Sequence, residues 1–171
     1  MAAKARARVH VNTQAVQRVK ARLEQRAKQL QPHRLTVGIH EAEGGKPKLD
    51  YQGRETSASV AQVATAHELG KGVPERSWLR TWFDSNRAKL EREMVEAARR
   101  EYGGELGAID KQGQQWAREL QEWIEAEDGG LTPLAPSTIA QKEHAGLSAP
   151  STPLFATGEL VAAIKSMLDG G

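Results

Sequence analysis

The chain has no cysteine among its 171 residues, which excludes disulfide staples and thiolate metal sites. A thiol-free composition suits a protein made in a reducing cytoplasm. No apolar run approaches the ~20 residues that a membrane-spanning helix needs. Residues 1–10 are basic but lack the apolar centre of a signal peptide. The expectation is a soluble, unexported chain without membrane contact. Recognisable catalytic patterns are missing too. There is no Gly-x-Ser-x-Gly elbow, and the five histidines (His10, His33, His40, His67 and His144) have no partner at ligand spacing. His67-Glu68 resembles the start of a His-Glu-x-x-His zinc helix, but the second imidazole would fall at Lys71, beyond the helix stop at Gly70. His67 is instead expected at the edge of the core, its ring bonded to a nearby backbone group. Gly44-Gly45-Lys46 imitates the end of a phosphate loop, yet Pro47 replaces the magnesium-holding hydroxyl and His40 the first glycine. The acid pairs Glu91/Glu93 and Glu122/Glu125 lie among other charges and read as solvated helix faces. No catalytic, cofactor-binding or metal-ligating residue is assigned, and a non-enzyme is expected.

What is present is charge in an uneven distribution. The formal net charge is +2, but residues 1–34 hold +8, residues 35–100 hold +1 and the remainder holds −7. A basic head and an acidic rear can pair between neighbouring copies, or the head can face DNA, and composition does not choose. A chain of this length buries roughly 70% of its unfolded surface, enough for one core without staples.

Residues 1–11 alternate Ala with Lys/Arg and predict a flexible basic arm, ahead of a single domain over 12–171. Asn12 can cap a first helix with Val16, Val19, Leu23, Ala27 and Leu30 on its apolar side and Arg18, Arg22 and Arg26 on its polar side. Pro32 stops it. Leu35, Val37 and Ile39 alternate as a half-buried strand. Residues 41–58, rich in Gly, Lys and Glu and with Pro47, read as a long exposed loop or as a hairpin with a short second strand near 49–51. Ser59 caps a helix that Gly70 ends. A long helix is predicted over about 77–102 with Leu79, Trp82, Phe83, Leu90, Met94 and Ala97 as its stripe. The next repeats Leu106, Ile109, Gly113, Trp116, Leu120 and Trp123 at steps of three and four, an a/d seam suited to one partner helix, and 128–130 stop it. A short helix near 136–144 follows. A last one opens after Thr157, whose hydroxyl can cap it, with Leu160, Val161 and Ile164 on its apolar side. Many helices with few strands predict an α+β fold, mostly helical, with long helices on a small antiparallel sheet.

Four tryptophans equal the two Phe and two Tyr together. Trp82 and Trp116 are expected in the core. Trp78 and Trp123, nearer helix ends, are divided between core and subunit contact, where large aromatics dominate binding.

Two separated phrases remain. His67-Glu68-Leu69-Gly70 is followed by Pro74-Glu75-Arg76-Ser77-Trp78-Leu79. Pro133-Leu134-Ala135-Pro136-Ser137-Thr138-Ile139 is followed by Pro153-Leu154-Phe155-Ala156-Thr157-Gly158-Glu159-Leu160. Together they resemble the tail-completion and head–tail connector (neck) minor virion proteins of tailed bacteriophages. In that family a His-Glu-Phe-Gly helix end precedes a Pro-x-Arg-x-Phe-Leu turn, and Pro-Leu-x-Pro-x-Thr and Thr-Gly-x-Leu segments occur elsewhere. The likeness covers about residues 35–83 and 131–164. Leu69 and Trp78 depart from the family's Phe positions. The chain also stops soon after Thr157-Gly158-Glu159-Leu160, where relatives often continue into a further strand. The terminal sheet is therefore expected to be shortened or completed by a neighbour.

The resemblance implies a long helix against a small antiparallel sheet, no catalytic residues and no cofactor. It implies a structural part of the virion, assembled in the host cytoplasm as a ring, six-fold by preference. The ring would join head connector and tail proteins around a lumen open to genomic DNA. Expected assembly contacts are Arg6, Arg8, Arg18, Arg22, Lys46, Lys48, Tyr51, Arg76, Trp78 and Trp123. The alternative is a DNA-binding module using Arg6, Arg8, Arg18, Arg22 and Arg26, although no reader helix is recognisable. A virion-associated hydrolase is a third possibility.

Overall fold

The computed structural model describes residues 34–126 and 131–169, together with Gln14, Gln17, Arg18, Lys20 and Ala21. The chain divides into two units, Arg34–Asp169 and Met1–His33 with Gly170–Gly171. The five separate residues are helical and belong to the smaller unit. The expected arm over 1–11, most of the first predicted helix and the stop at 128–130 lie outside the described residues.

The larger unit is α+β and mostly helical. Strand β1 (Arg34–Ile39) is followed by a one-turn helix α1 (Glu41–Gly44) and by strands β2 (Pro47–Leu49) and β3 (Glu55–Ser59). Helices α2 (Val60–Leu69), α3 (Trp78–Gly103), α4 (Ala108–Glu125), α5 (Pro136–His144) and α6 (Glu159–Ala162) lead to strand β4 (Ile164–Asp169). The first and last strands pair antiparallel, from Arg34 opposite Asp169 to Ile39 opposite Ile164. The predicted alternation therefore finds its partners 125 to 133 residues away, from Ile39 opposite Ile164 to Leu35 opposite Leu168. β2 and β3 form a separate antiparallel hairpin. Of the two readings of residues 41–58, the hairpin is the one found, with its strands at 47–49 and 55–59; the helical turn before it, with Gly44 buried, is unexpected. A β-carbon on Gly44 would sit 2.9 Å from the Ala61 Cβ, so the absence of a side chain lets this turn lie against α2.

The helix boundaries follow from local chemistry. Ser59 and Gln62 form a reciprocal capping box at the start of α2. Gly70 ends it in the left-handed conformation at φ 66°, which costs glycine nothing. α3 and α4 lack side-chain caps of their own, and each borrows a carboxylate from the preceding helix. Glu68 accepts from the backbone N–H groups of Leu79 (3.0 Å) and Arg80 (3.2 Å). Glu101 likewise accepts from Gly107 (3.1 Å) and Ile109 (3.2 Å). A negative group at these ends satisfies orphan donors and opposes the helix dipole.

The core joins α2, α3, α4, α6 and the β1–β4 pair, with Leu120, Ile124 and Ile164 fully buried. α4 packs on α3 and also on the sheet, so its seam does not serve one partner helix alone. Gly113 is the reason: a β-carbon there would come 2.4 Å from the Leu35 Cδ1 and 3.0 Å from the Ser166 Cβ. The helix backbone can approach β1 and β4 only because that position is bare. The Gln121 side-chain amide donates to the carbonyls of Val161 and Ile164, both at 3.0 Å, and pins α4 to the α6–β4 junction.

Several side chains depart from their expected places. Phe83 is 49% exposed because its neighbour Trp82 takes the inward position and the next residue is turned about 100° away. Leu106 precedes α4 and is 83% exposed. Ile164 belongs to β4 rather than to the last helix. Gly158, not Thr157, stands at the cap of α6, and the Thr157 hydroxyl bonds the Glu159 carboxylate at 2.8 Å. Glu93 is no freely solvated acid: it accepts from the Trp116 indole at 2.7 Å and from Gln112 at 3.2 Å, tying α3 to α4.

Candidate binding cavity

The sequence phrases singled out above meet in space. After Gly70 the chain turns back so that the Arg76 N–H donates to the His67 carbonyl at 2.8 Å, and the Ser77 hydroxyl donates to the Glu68 carbonyl at 3.0 Å. This places the Arg76 side chain inside the protein, 5% exposed. Its Nε donates to the Thr132 carbonyl at 2.8 Å, Nη2 to the Pro133 carbonyl at 3.1 Å and Nη1 to the Pro74 carbonyl at 3.5 Å. The Thr132 hydroxyl returns a bond to the Glu75 carbonyl at 3.1 Å. Arg76 therefore clamps the Pro74 turn to the Pro133 segment that leads into α5.

The second clamp lies nearby. Glu159 Oε2 accepts from Lys48 Nζ at 2.7 Å and from the Leu49 backbone at 3.0 Å. Lys48 also donates to the Thr157 hydroxyl at 3.0 Å. The Thr157-Gly158-Glu159-Leu160 phrase is thereby fastened to β2.

Between the clamps is a cavity of about 630 Å³. Lys48, His67, Arg76 and Lys142 bring positive or basic groups to its wall, and Val63, Leu134, Leu154, Phe155 and Leu160 supply apolar surface. Lys142, on α5, is 3% exposed and donates to the Thr152 carbonyl at 2.8 Å and the Ala149 carbonyl at 3.4 Å. Leu154 holds a left-handed backbone at φ 61°, a conformation that costs a non-glycine residue roughly 1–2 kcal/mol. His67 Nδ1 is buried with no hydrogen-bond partner among the described residues. The expected ring-to-backbone bond is not there. Arg76 occupies the nearby positively charged position, so the ring sits in a low-dielectric, electropositive site.

Burial lowers the pKa of Arg76, His67 and Lys142, and the Arg76 charge lowers the latter two further. Burial alone would raise Glu159, but the bonds from Lys48, Thr157 and Leu49 outweigh it and hold the carboxyl below its usual value. A carboxylate depressed in the folded state stabilises the fold above its unfolded pKa, and this contribution fades as pH falls through the folded value. Glu159→Gln should therefore remove a component of stability that wild type has at pH 7. The gap between the two proteins should close below pH 4.5, as the wild-type carboxyl protonates. Urea denaturation at pH 7, 5 and 3 reads this out, and a gap independent of pH would contradict it.

The expected contact residues divide into several groups. Lys48, Tyr51 and Arg76 come together at this cavity. Of the two readings of Trp78, the single chain places it in the core: it is 3% exposed, and its indole N–H donates to the Ala64 carbonyl at 3.4 Å. Arg76, similarly buried, is a clamp rather than a surface contact. Trp123 is half-buried and packs against the core. Lys46 is exposed and pairs with Glu43 within α1 and its exit. Arg18 is exposed, while Arg6, Arg8, Arg22 and Arg26 lie outside the described residues. Sequence reasoning missed Lys142, which carried no motif, and Glu159, which was seen only as part of a phrase. A lysine on the short helix at 136–144 was not separable by pattern from a solvated one.

Among the described residues, no three His, Asp or Glu side chains are grouped to hold a metal ion, and no helix is long and apolar enough to cross a membrane. Compared with family models, curated proteins and solved structures, the chain matches none.

Proposed function

We propose that this chain is a structural protein of the neck or tail-completion layer of a tailed phage. It forms a ring, six-fold by preference, that joins the head connector to the tail in the virion. The observation that carries this reading is the meeting of its sequence phrases. The segments behind the resemblance are spread over residues 67–160, and they fold into adjoining clamps around Arg76 and Glu159. Phrases with a shared tertiary purpose make a better signature than unrelated short matches.

Two surfaces suit assembly. The β1–β4 sheet has only these two strands among the described residues, so each has one edge without a strand partner there, suited to a neighbour's backbone. Phe83, Val95 and Tyr102 are about half exposed on α3 and offer apolar area to a contact. In a ring, such surfaces meet a different surface of the next copy. Phe83→Glu should leave the melting temperature of the isolated chain within about 2 °C, as expected of an exposed site, while preventing ring closure. Cryo-EM of assembled necks, with sedimentation of the variant, tests both statements. A chain that remains monomeric in the assembled particle would overturn the proposal.

A further inference from the structure

Arg76 and Lys142 are the buried cations among the described residues, and both line the same cavity. Neither has a carboxylate partner among the described residues. Lys48, the other lysine of the wall, is already paired with Glu159 at 2.7 Å. The carbonyls that Arg76 and Lys142 contact satisfy part of their hydrogen bonding but do not neutralise two charges removed from water.

A count of donors sharpens this. A guanidinium has five N–H groups and an ammonium three. Arg76 uses one on each of its nitrogens, leaving one on Nη1 and one on Nη2, and Lys142 uses two of three. His67 Nδ1 is unpartnered beside them. The remainder of the wall is mostly apolar, Leu134, Leu154 and Phe155 among it. Its volume, about 630 Å³, is in the range of small-ligand sites.

We infer that this cavity is a binding site for a carboxylate borne on an apolar group. The carboxylate oxygens accept the unused N–H groups of Arg76 and Lys142, and the apolar part lies against Leu134, Leu154 and Phe155. A planar acceptor matches the guanidinium fork. A monoanion also suits this wall better than phosphate, whose greater charge would have to be desolvated beside five backbone carbonyls and apolar side chains. Such a group exists on a free organic acid and on an acidic side chain next to an apolar one in a protein chain. The inference does not depend on the phage reading.

The test uses the full chain and calorimetric titration. The probes are 3-phenylpropionate, its neutral analogue 3-phenylpropanamide, inorganic phosphate, and the capped peptide acetyl-Ala-Phe-Glu-Ala-amide. The acid should bind at least about tenfold more tightly than the amide, as a charge-assisted bond to a buried cation requires. Phosphate should bind more weakly than the acid. Lys142→Met replaces a buried unpaired charge by an apolar chain of similar length. The variant should keep or raise the melting temperature and weaken the acid at least about fivefold, with the amide unchanged. Peptide binding at least as tight as the free acid assigns the carboxylate to a protein partner, and binding of the free acid alone assigns it to a small molecule. Equal affinity for acid and amide, tighter binding of phosphate, or an acid affinity unaltered by Lys142→Met would overturn the inference. Should that variant not fold, methyl NMR of wild type decides. Acid-induced shifts at Leu134, Leu154 and Leu160 support the site, and shifts confined elsewhere refute it.

Discussion

Replacing Trp78 by alanine should destabilise the isolated chain by about 3–5 kcal/mol, the usual penalty for emptying a buried aromatic position. Trp78 is the first residue of α3 and is 3% exposed, packed with Val60, Ala64 and Trp82 in the core cluster. Its indole N–H bonds the Ala64 carbonyl on α2, so truncation opens a cavity and removes a link between two helices. The Glu68 carboxylate holds the backbone of the next two residues, which limits how far the site can collapse around the void. Thermal and urea melts of the free chain measure the loss. A variant as stable as wild type that nonetheless fails to assemble would return Trp78 to a subunit contact.

Arg76→Ala should cost about 2–4 kcal/mol. Hydrogen bonds from a charged donor contribute roughly 1.5–3 kcal/mol each, and the long bond to Pro74 contributes least. Relief of an unpaired buried charge offsets part of the loss. Arg76→Lys should not fully restore it, because a shorter, point-like ammonium lacks the planar fork that meets the Thr132 and Pro133 carbonyls from separate nitrogens. The effect should be regional: faster amide exchange is expected at residues 131–139, with protection in the α4 centre retained. Urea denaturation and hydrogen exchange together test this. A neutral Arg76→Ala with unchanged exchange would show that the Pro133 segment is held by apolar packing alone.

Both expected effects come from residues whose phrase was visible in the sequence but whose environment was not. Pro74-Glu75-Arg76-Ser77-Trp78 could be recognised as a helix entrance because proline and serine have local preferences that act within a few residues. That Arg76 turns inward depends on carbonyls 56 and 57 positions away, at Thr132 and Pro133. Likewise, the cavity needs α2, the Pro74 turn, α5 and the 152–160 segment at once, and no periodicity encodes their meeting. Lys142 illustrates the limit. On its own helix it looks like a solvated lysine, and only the folding of residues 149–152 over it removes it from water.

The sequence by itself determined the helices near 59–69, 77–102, 106–125 and 136–144, the stops at Gly70 and after Tyr102, the alternating strand at 34–39 and the α+β, mostly helical class. These follow from apolar period, capping and glycine conformations, all local properties of the chain. Tertiary structure alone decided that β1 pairs with β4, that Gly113 brings α4 against that sheet, and that Trp78 is core. It also decided that a helical turn at 41–44 precedes the hairpin, held against α2. In each case the deciding contacts join segments distant in the chain, through close backbone approach, borrowed carboxylate caps or a buried guanidinium, and their energies exist only once those segments meet.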